Sequence, residues 1–144
     1  MASTATYDDA NLILRLYDLR REPRLREARA WFSNSFKAKT LEEATKLCPP
    51  GSEENASYRM VVTYWEMAAS FVTSGVLNQE LFFQSGRELL FVWERISDLL
   101  PAMREAYKDP HWVHNFETVA KAYIDYMKKQ DAAAYAAFSA RVKG

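Results

Sequence analysis

Two histidines and a glutamate have the spacing of a metal-binding group. His111 and His114 stand three residues apart and Glu117 follows three residues later, so on a helix their side chains would share one face. Neutral imidazoles and carboxylates that converge on one point are common ligands of Zn²⁺ and related ions. The trio predicts a metal site in a metal-dependent enzyme. The alternative is an ordinary helix surface, which the missing H-E-x-x-H pattern favours.

A narrow polar stripe runs along the most apolar stretch of the chain. Arg59, Thr63, Glu66 and Ser70 recur at spacings of four, three and four among residues that are nearly all apolar. A guanidinium and a carboxylate are costly to bury unless they are paired, so their presence there indicates a function. The stripe predicts a small-molecule binding or sensor domain with a pocket beside this helix. In the favoured alternative, it is the edge of the helix that faces water.

Other catalytic signatures are missing from the sequence. It contains no glycine-rich phosphate-binding pattern and no G-x-S-x-G pattern. The single cysteine, Cys48, has no neighbouring histidine and precedes two prolines, which favours a structural role. We therefore expect no cofactor. Our leading functional hypothesis is a non-enzymatic helical interaction or scaffold protein that binds a protein partner.

Helices are the elements that must position these residues. The segment 52–75 is apolar on nearly every side, Ser52 can cap its start and Gly75 can end it, so other helices must pack around it. Capping residues, prolines and apolar spacing predict further helices at 8–21, 24–36, 40–47, 79–84, 85–107 with a kink at 97–100, 109–129 and from 131 onward. We predict a single all-α domain, residues 1–144, in which about five to seven helices form a bundle or orthogonal array around the central helix.

Charge and composition exclude several classes of partner. The formal net charge is +0, so no overall field attracts nucleic acid or an anionic membrane. The longest charge-free interior run has thirteen residues, fewer than the roughly 18 to 20 that a membrane helix needs. One cysteine permits no internal disulfide, and the chain begins without a basic segment before an apolar one. We expect a cytoplasmic protein that binds neither nucleic acid nor membrane.

The sequence also predicts a homodimer. Its later helices carry more aromatic side chains than one core can cover, and an exposed apolar patch usually marks an interaction surface. We place the interface in residues 79–107, with Phe82, Phe83 and Phe91 as anchors. In the alternative, the segment 79–84 folds back over the central helix, buries its own phenylalanines and leaves a monomer.

Three stretches carry a resemblance to known proteins. They are YDDANLILRLYDLRREPRLREARAWF, PGSEENASYRMVVTYWEMAASFV and LLFVWERISDLLPAMREAY. Together they resemble small all-helical bacterial proteins and domains of unknown function. The resemblance implies a bacterial source and a helical fold, and it brings no activity and no site residues with it.

Overall fold

The computed structural model describes residues 4–144 and contains helices but no strand in that range, which confirms the predicted all-α class. The helices, numbered α1 to α8, are Tyr7–Arg20, Pro23–Ser35, Leu41–Leu47, Glu53–Thr73, Gln79–Phe83, Arg87–Ile96, Leu100–Tyr107 and His114–Lys143. A turn of 3-10 helix, Ser97–Leu99, joins α6 to α7 where the kink was predicted. If α6, this turn and α7 are counted as one kinked helix, residues 4–144 contain seven helices.

Helix α4 is the central helix that the segment 52–75 predicted. The Ser52 side chain accepts a hydrogen bond of 3.0 Å from the Asn55 N–H and so caps its start. At its other end Gly75 has a φ of 86°, a left-handed conformation that glycine adopts without a steric penalty. Helices α2 and α8 pack closely against α4. The buried side chains of α4 include Tyr58, Val61, Val62, Tyr64, Trp65, Ala68, Ala69 and Val72.

The buried apolar side chains of the described residues form one hydrophobic core. An aromatic stack joins α2 to α4: the Phe36 ring lies 4.9 Å from the Phe32 ring and 5.2 Å from the Tyr58 ring, centroid to centroid. Each aromatic side chain that is fully buried contributes about 1.5–3 kcal/mol through the hydrophobic effect. In residues 4–144, no helix combines the length and the apolar character that crossing a bilayer requires.

The anchors of the predicted dimer interface belong to this core instead. Phe82 and Phe83 are only 3% and 4% exposed. The Phe83 ring stacks on Tyr123 at 4.4 Å, and the Tyr123 hydroxyl donates a hydrogen bond to the Phe83 carbonyl oxygen. Phe91 is half-buried beneath the Arg95 guanidinium. Phe82 and Phe83 are therefore wrong as anchors, because α5 buries its own phenylalanines in the core, as in the alternative considered above. Phe91 stays a prediction. The homodimer itself stays a prediction.

Helix α8 begins later than the sequence predicted. Val113 has a φ of 51° and a ψ of 38°, in the left-handed region, and this conformation delays the helix to His114. His111 therefore lies in the turn before the helix. At Asp131 the helix breaks, and this carboxylate accepts hydrogen bonds from the N–H groups of residues 133 and 134. Asp131 is thus a cap within α8, as its sequence context indicated.

Candidate functional site

A pocket of about 410 Å³ lies beside the central helix, between α3, α4 and α7. We call it the α4 pocket. Its apolar wall includes Leu41, Ala44, Cys48, Val62, Met103 and Trp112. Small-molecule sites are typically clefts of about 300–1,000 Å³ with apolar walls and a few polar groups. The α4 pocket fits the smaller part of that range.

Local sequence features place α3 against α4. The Thr40 side chain accepts a hydrogen bond from the Glu43 N–H and starts α3, while the Glu43 carboxylate accepts one from the Lys39 N–H. The prolines at 49 and 50 cannot continue the helix, so the chain turns sharply into α4. Across this turn, the Asn55 amide donates to the Cys48 carbonyl oxygen at 3.3 Å. The two helices therefore open a cleft at their shared end.

Tyr58 is a polar group in the inner wall of the pocket. Its side chain is buried, and its hydroxyl donates to the Met103 sulfur at 3.3 Å. A thioether is a weak acceptor. Burial, followed by the nearby Tyr107 phenol, raises the pKa of the Tyr58 hydroxyl well above its usual value. The hydroxyl therefore remains a neutral donor throughout the physiological pH range.

Arg59 is the one charged side chain that lines the pocket in the described chain. No carboxylate of residues 4–144 forms an ion pair with its guanidinium, which is exposed at the pocket mouth. Thr63, one turn later, also lines the mouth, and its hydroxyl donates to the Arg59 carbonyl oxygen at 2.6 Å. These two residues of the predicted stripe therefore border one pocket.

Glu66 and Ser70, the other residues of the stripe, do not line the α4 pocket. The Glu66 carboxylate accepts 2.8 Å hydrogen bonds from the Phe116 N–H and from the Asn115 side-chain amide, at the start of α8. The Ser70 hydroxyl donates to the Met67 carbonyl oxygen. Glu66 thus caps the neighbouring helix α8. The residues of the predicted stripe therefore do not share one site: Arg59 and Thr63 border the α4 pocket, whereas Glu66 and Ser70 do not.

The predicted metal ligands do not gather around one point. The His111 and His114 rings are 6.2 Å apart, centroid to centroid, and nearly perpendicular. Glu117 forms ion pairs of 3.1 Å with both Arg104 and Lys121. Burial raises the pKa of Glu117, but the hydrogen bonds from these two cations outweigh burial, so the pKa lies below its usual value. Residues 4–144 contain no group of three or more His, Cys, Asp or Glu side chains that could hold a metal ion.

Sequence reasoning missed several residues of the pocket wall. Tyr58 and Met103 lie at apolar positions of predicted helices and were expected only to fill the core, and Cys48 was expected only to have a structural role. One signal was available: the two consecutive prolines after Cys48 require a sharp turn, which brings a short helix beside the start of the central helix. The spacing of apolar residues did not show that α7 forms the third side of the α4 pocket.

The fold and the pocket define a class: an all-α domain with a small-molecule-sized pocket beside its central helix. The chain belongs to the family of the domain of unknown function DUF4760, whose profile matches residues 5–140. Comparison with curated proteins finds no match, and comparison with solved structures finds none either. The family membership confirms the resemblance to an uncharacterised family.

Proposed function

We propose that this protein is a small-molecule-binding domain and that the α4 pocket is its binding site. The observation that supports this proposal is an apolar pocket of about 410 Å³ with an unpaired arginine at its mouth. Other polar side chains around it already have partners within the chain, among them Thr45, Asn55 and Thr63. Apolar walls that face water lose hydrophobic stabilisation, which a bound molecule restores. A metal-dependent enzyme is not proposed because Glu117 is engaged with two cations.

Blocking the pocket tests the proposal. Ala106 is exposed on α7 and lines the pocket, so Ala106→Trp places a large ring over the cleft without entering the core. Ala102→Trp, on the same helix but outside the lining, is the matched control. We expect the neutral fluorescent probe N-phenyl-1-naphthylamine to bind the wild type and Ala102→Trp saturably, and Ala106→Trp at least tenfold more weakly. Equal binding by both variants would overturn the proposal.

Self-association is a second candidate function, supported by the outer face of α1. Tyr7, Leu14 and Tyr17 are 83%, 62% and 50% exposed there. Spacings of seven and three residues place the three side chains on one side of the helix. Such a stripe is typical of helices that pack against a partner, and we propose a second copy of this chain as that partner.

Charge complementarity favours a two-fold pairing of antiparallel α1 helices. Asp8 lies near one end of α1 and Arg21 just after the other, and neither has an oppositely charged partner within residues 4–144. An antiparallel arrangement centred on Leu14 brings Asp8 of each copy near the basic end of the other. Opposite charges at such positions favour one orientation over the reverse.

The mass in solution tests the dimer. Light scattering after size exclusion at micromolar concentration should give about twice the 16.6 kDa of one chain. Leu14→Glu places a charge at the centre of the pairing and should give the monomer mass. Ala137→Glu, an exposed position on α8, should leave the dimer unchanged. A wild-type mass near 16.6 kDa that does not rise with concentration would contradict this pairing.

We also propose a cytoplasmic location and a single domain. The buried, unpaired Cys48 supports a thiol-reducing compartment, and the continuous core of residues 4–144 supports a single domain over residues 1–144. The bacterial source rests only on the resemblance stated above.

A further inference from the structure

We infer that the ligand of the α4 pocket is an apolar molecule that carries a single carboxylate, with Arg59 as the anchor of that carboxylate. This inference rests on the proposed function and deepens it, because it names the chemical class of the ligand. Three features of the pocket support it: an unpaired cation, a buried neutral donor and a lining with a single positive charge.

The first feature is the charge of the pocket. Arg59 is its one charged lining residue in the part of the chain that the structure describes, and this guanidinium has no ion-pair partner there. Two half-buried arginines of the chain have carboxylate partners: Arg29 pairs with Glu88 at 2.6 Å and Arg104 pairs with Glu117 at 3.1 Å. A guanidinium fork matches the two oxygens of a carboxylate. A bound carboxylate would therefore give Arg59 the partner that these other arginines find within the chain.

The second feature is a donor in the inner wall of the pocket. The Tyr58 hydroxyl donates to the Met103 sulfur and also interacts with the Tyr107 side chain, and burial followed by Tyr107 raises its pKa, so the hydroxyl stays protonated. A carboxylate oxygen is a much stronger acceptor than a thioether, so exchange of one acceptor for the other is favourable. Tyr58 and Arg59 are consecutive on α4 and both line the pocket. The pocket therefore offers a ligand two donors, Arg59 at the mouth and Tyr58 in the inner wall.

The third feature limits the charge of the ligand. Arg59 is the single charged side chain of the described lining, so the pocket supplies one positive charge. One cation suits a monoanion better than a phosphate ester with nearly two negative charges. The apolar walls then accommodate the hydrocarbon part of the molecule.

Matched ligands that differ only in their headgroup test the inference. We expect isothermal titration to show octanoate binding about tenfold more tightly than 1-octanol, the effect of one charge-assisted hydrogen bond at a partly exposed site. Arg59→Met should reduce octanoate affinity about tenfold and leave 1-octanol affinity unchanged. Arg26→Met, at an exposed arginine on α2 outside the pocket lining, is the matched control and should change neither. Octyl phosphate should bind no more tightly than octanoate.

The possible results separate the inference from the proposed function. Equal affinities for octanoate and 1-octanol in the wild type, both lost in Ala106→Trp, would overturn the carboxylate inference and leave the binding site in place. A preference for octanoate that survives Arg59→Met would overturn the role of Arg59. Tighter binding of octyl phosphate than of octanoate would overturn the inference that the ligand carries a single negative charge. Binding of neither octanoate nor 1-octanol nor the neutral probe would overturn the proposed function together with the inference.

Discussion

Trp65 is a buried indole whose N–H group has no hydrogen-bond partner among residues 4–144. The residue is 2% exposed in the central helix, so Trp65→Ala leaves a large cavity and should lower the free energy of unfolding by about 3–5 kcal/mol. Trp65→Phe keeps most of the ring volume and removes an unsatisfied polar group, so it should cost much less. Urea unfolding of both variants measures the difference. If Trp65→Phe lowered the free energy of unfolding as much as Trp65→Ala, the indole N–H could not be a dispensable, unsatisfied group.

Asp9 makes folding depend on pH. The N–H groups of Thr6 and Asn78 donate to its carboxylate at 2.7 and 2.8 Å and hold the pKa of Asp9 below its usual value. The ionised carboxylate therefore stabilises the fold above the unfolded pKa of about 3.9, and this contribution is lost as the pH falls through the lower folded pKa.

The variant Asp9→Asn should accordingly melt at a lower temperature than the wild type at pH 7. The difference between the two melting temperatures should narrow as the pH falls below about 4, because protonation of Asp9 removes the stabilisation that its ionised carboxylate gives the wild type. Asp125→Asn is the control, since this exposed carboxylate on α8 accepts no hydrogen bond from residues 4–144. A gap that stays constant down to about pH 2 would show that these hydrogen bonds do not depend on the charge.

At the level of the helices, the sequence was informative wherever a local signal marks an end. Ser52 and Gly75 bound the central helix as predicted, and Pro101 lies just after the kink at Ser97–Leu99. The start of α8 was placed too early, because the left-handed Val113 is not a residue from which such a conformation is expected. Its capping group was missed as well, since Glu66 is far away in the sequence.

Helix α8 depends on Glu66 for its N-terminal cap. No residue at the start of α8 caps the helix with its own side chain, whereas Glu66 on α4 accepts the Phe116 N–H at 2.8 Å. Glu66→Ala leaves that donor without its acceptor and should cost about 1–3 kcal/mol. Glu66→Gln keeps one acceptor oxygen and should cost less. Hydrogen exchange should show the Phe116 amide exchanging faster in Glu66→Ala, and unchanged protection there would contradict the cap.

At the level of the whole molecule, the class of fold was predictable but the pocket was only partly so. Apolar residues recur at helical spacing throughout the chain, which determines a helical bundle with a buried central helix. Two residues of the polar stripe, Arg59 and Thr63, border the α4 pocket, whereas Glu66 and Ser70, which have the same helical spacing, do not. Which neighbour covers each part of a helix depends on tertiary packing, and helical spacing contains no information about that.

Arg95 connects parts of the molecule that are distant in sequence. Its guanidinium donates to the carbonyl oxygens of Phe36, after α2, and Val142, in the last turn of α8, each at 2.8 Å. Arg95→Met should lower the melting temperature by about 3 °C or more, which corresponds to roughly 1 kcal/mol in a domain of this size. Limited proteolysis should then cut the end of α8 sooner. Arg141→Met, at an exposed arginine nearby, is the control, and an equal effect there would contradict the special role of Arg95.

The position of Cys48 in the pocket wall makes pocket opening measurable as a chemical rate. It is the single thiol of the chain, and its raised pKa keeps it mostly protonated, so iodoacetamide should alkylate it far more slowly than free cysteine. Reaction requires the reagent to enter the cleft. Any molecule that occupies the cleft therefore protects the thiol and slows its alkylation. Mass spectrometry of the alkylated fraction over time then measures how much of the pocket is occupied, and it does so before the bound molecule has been identified.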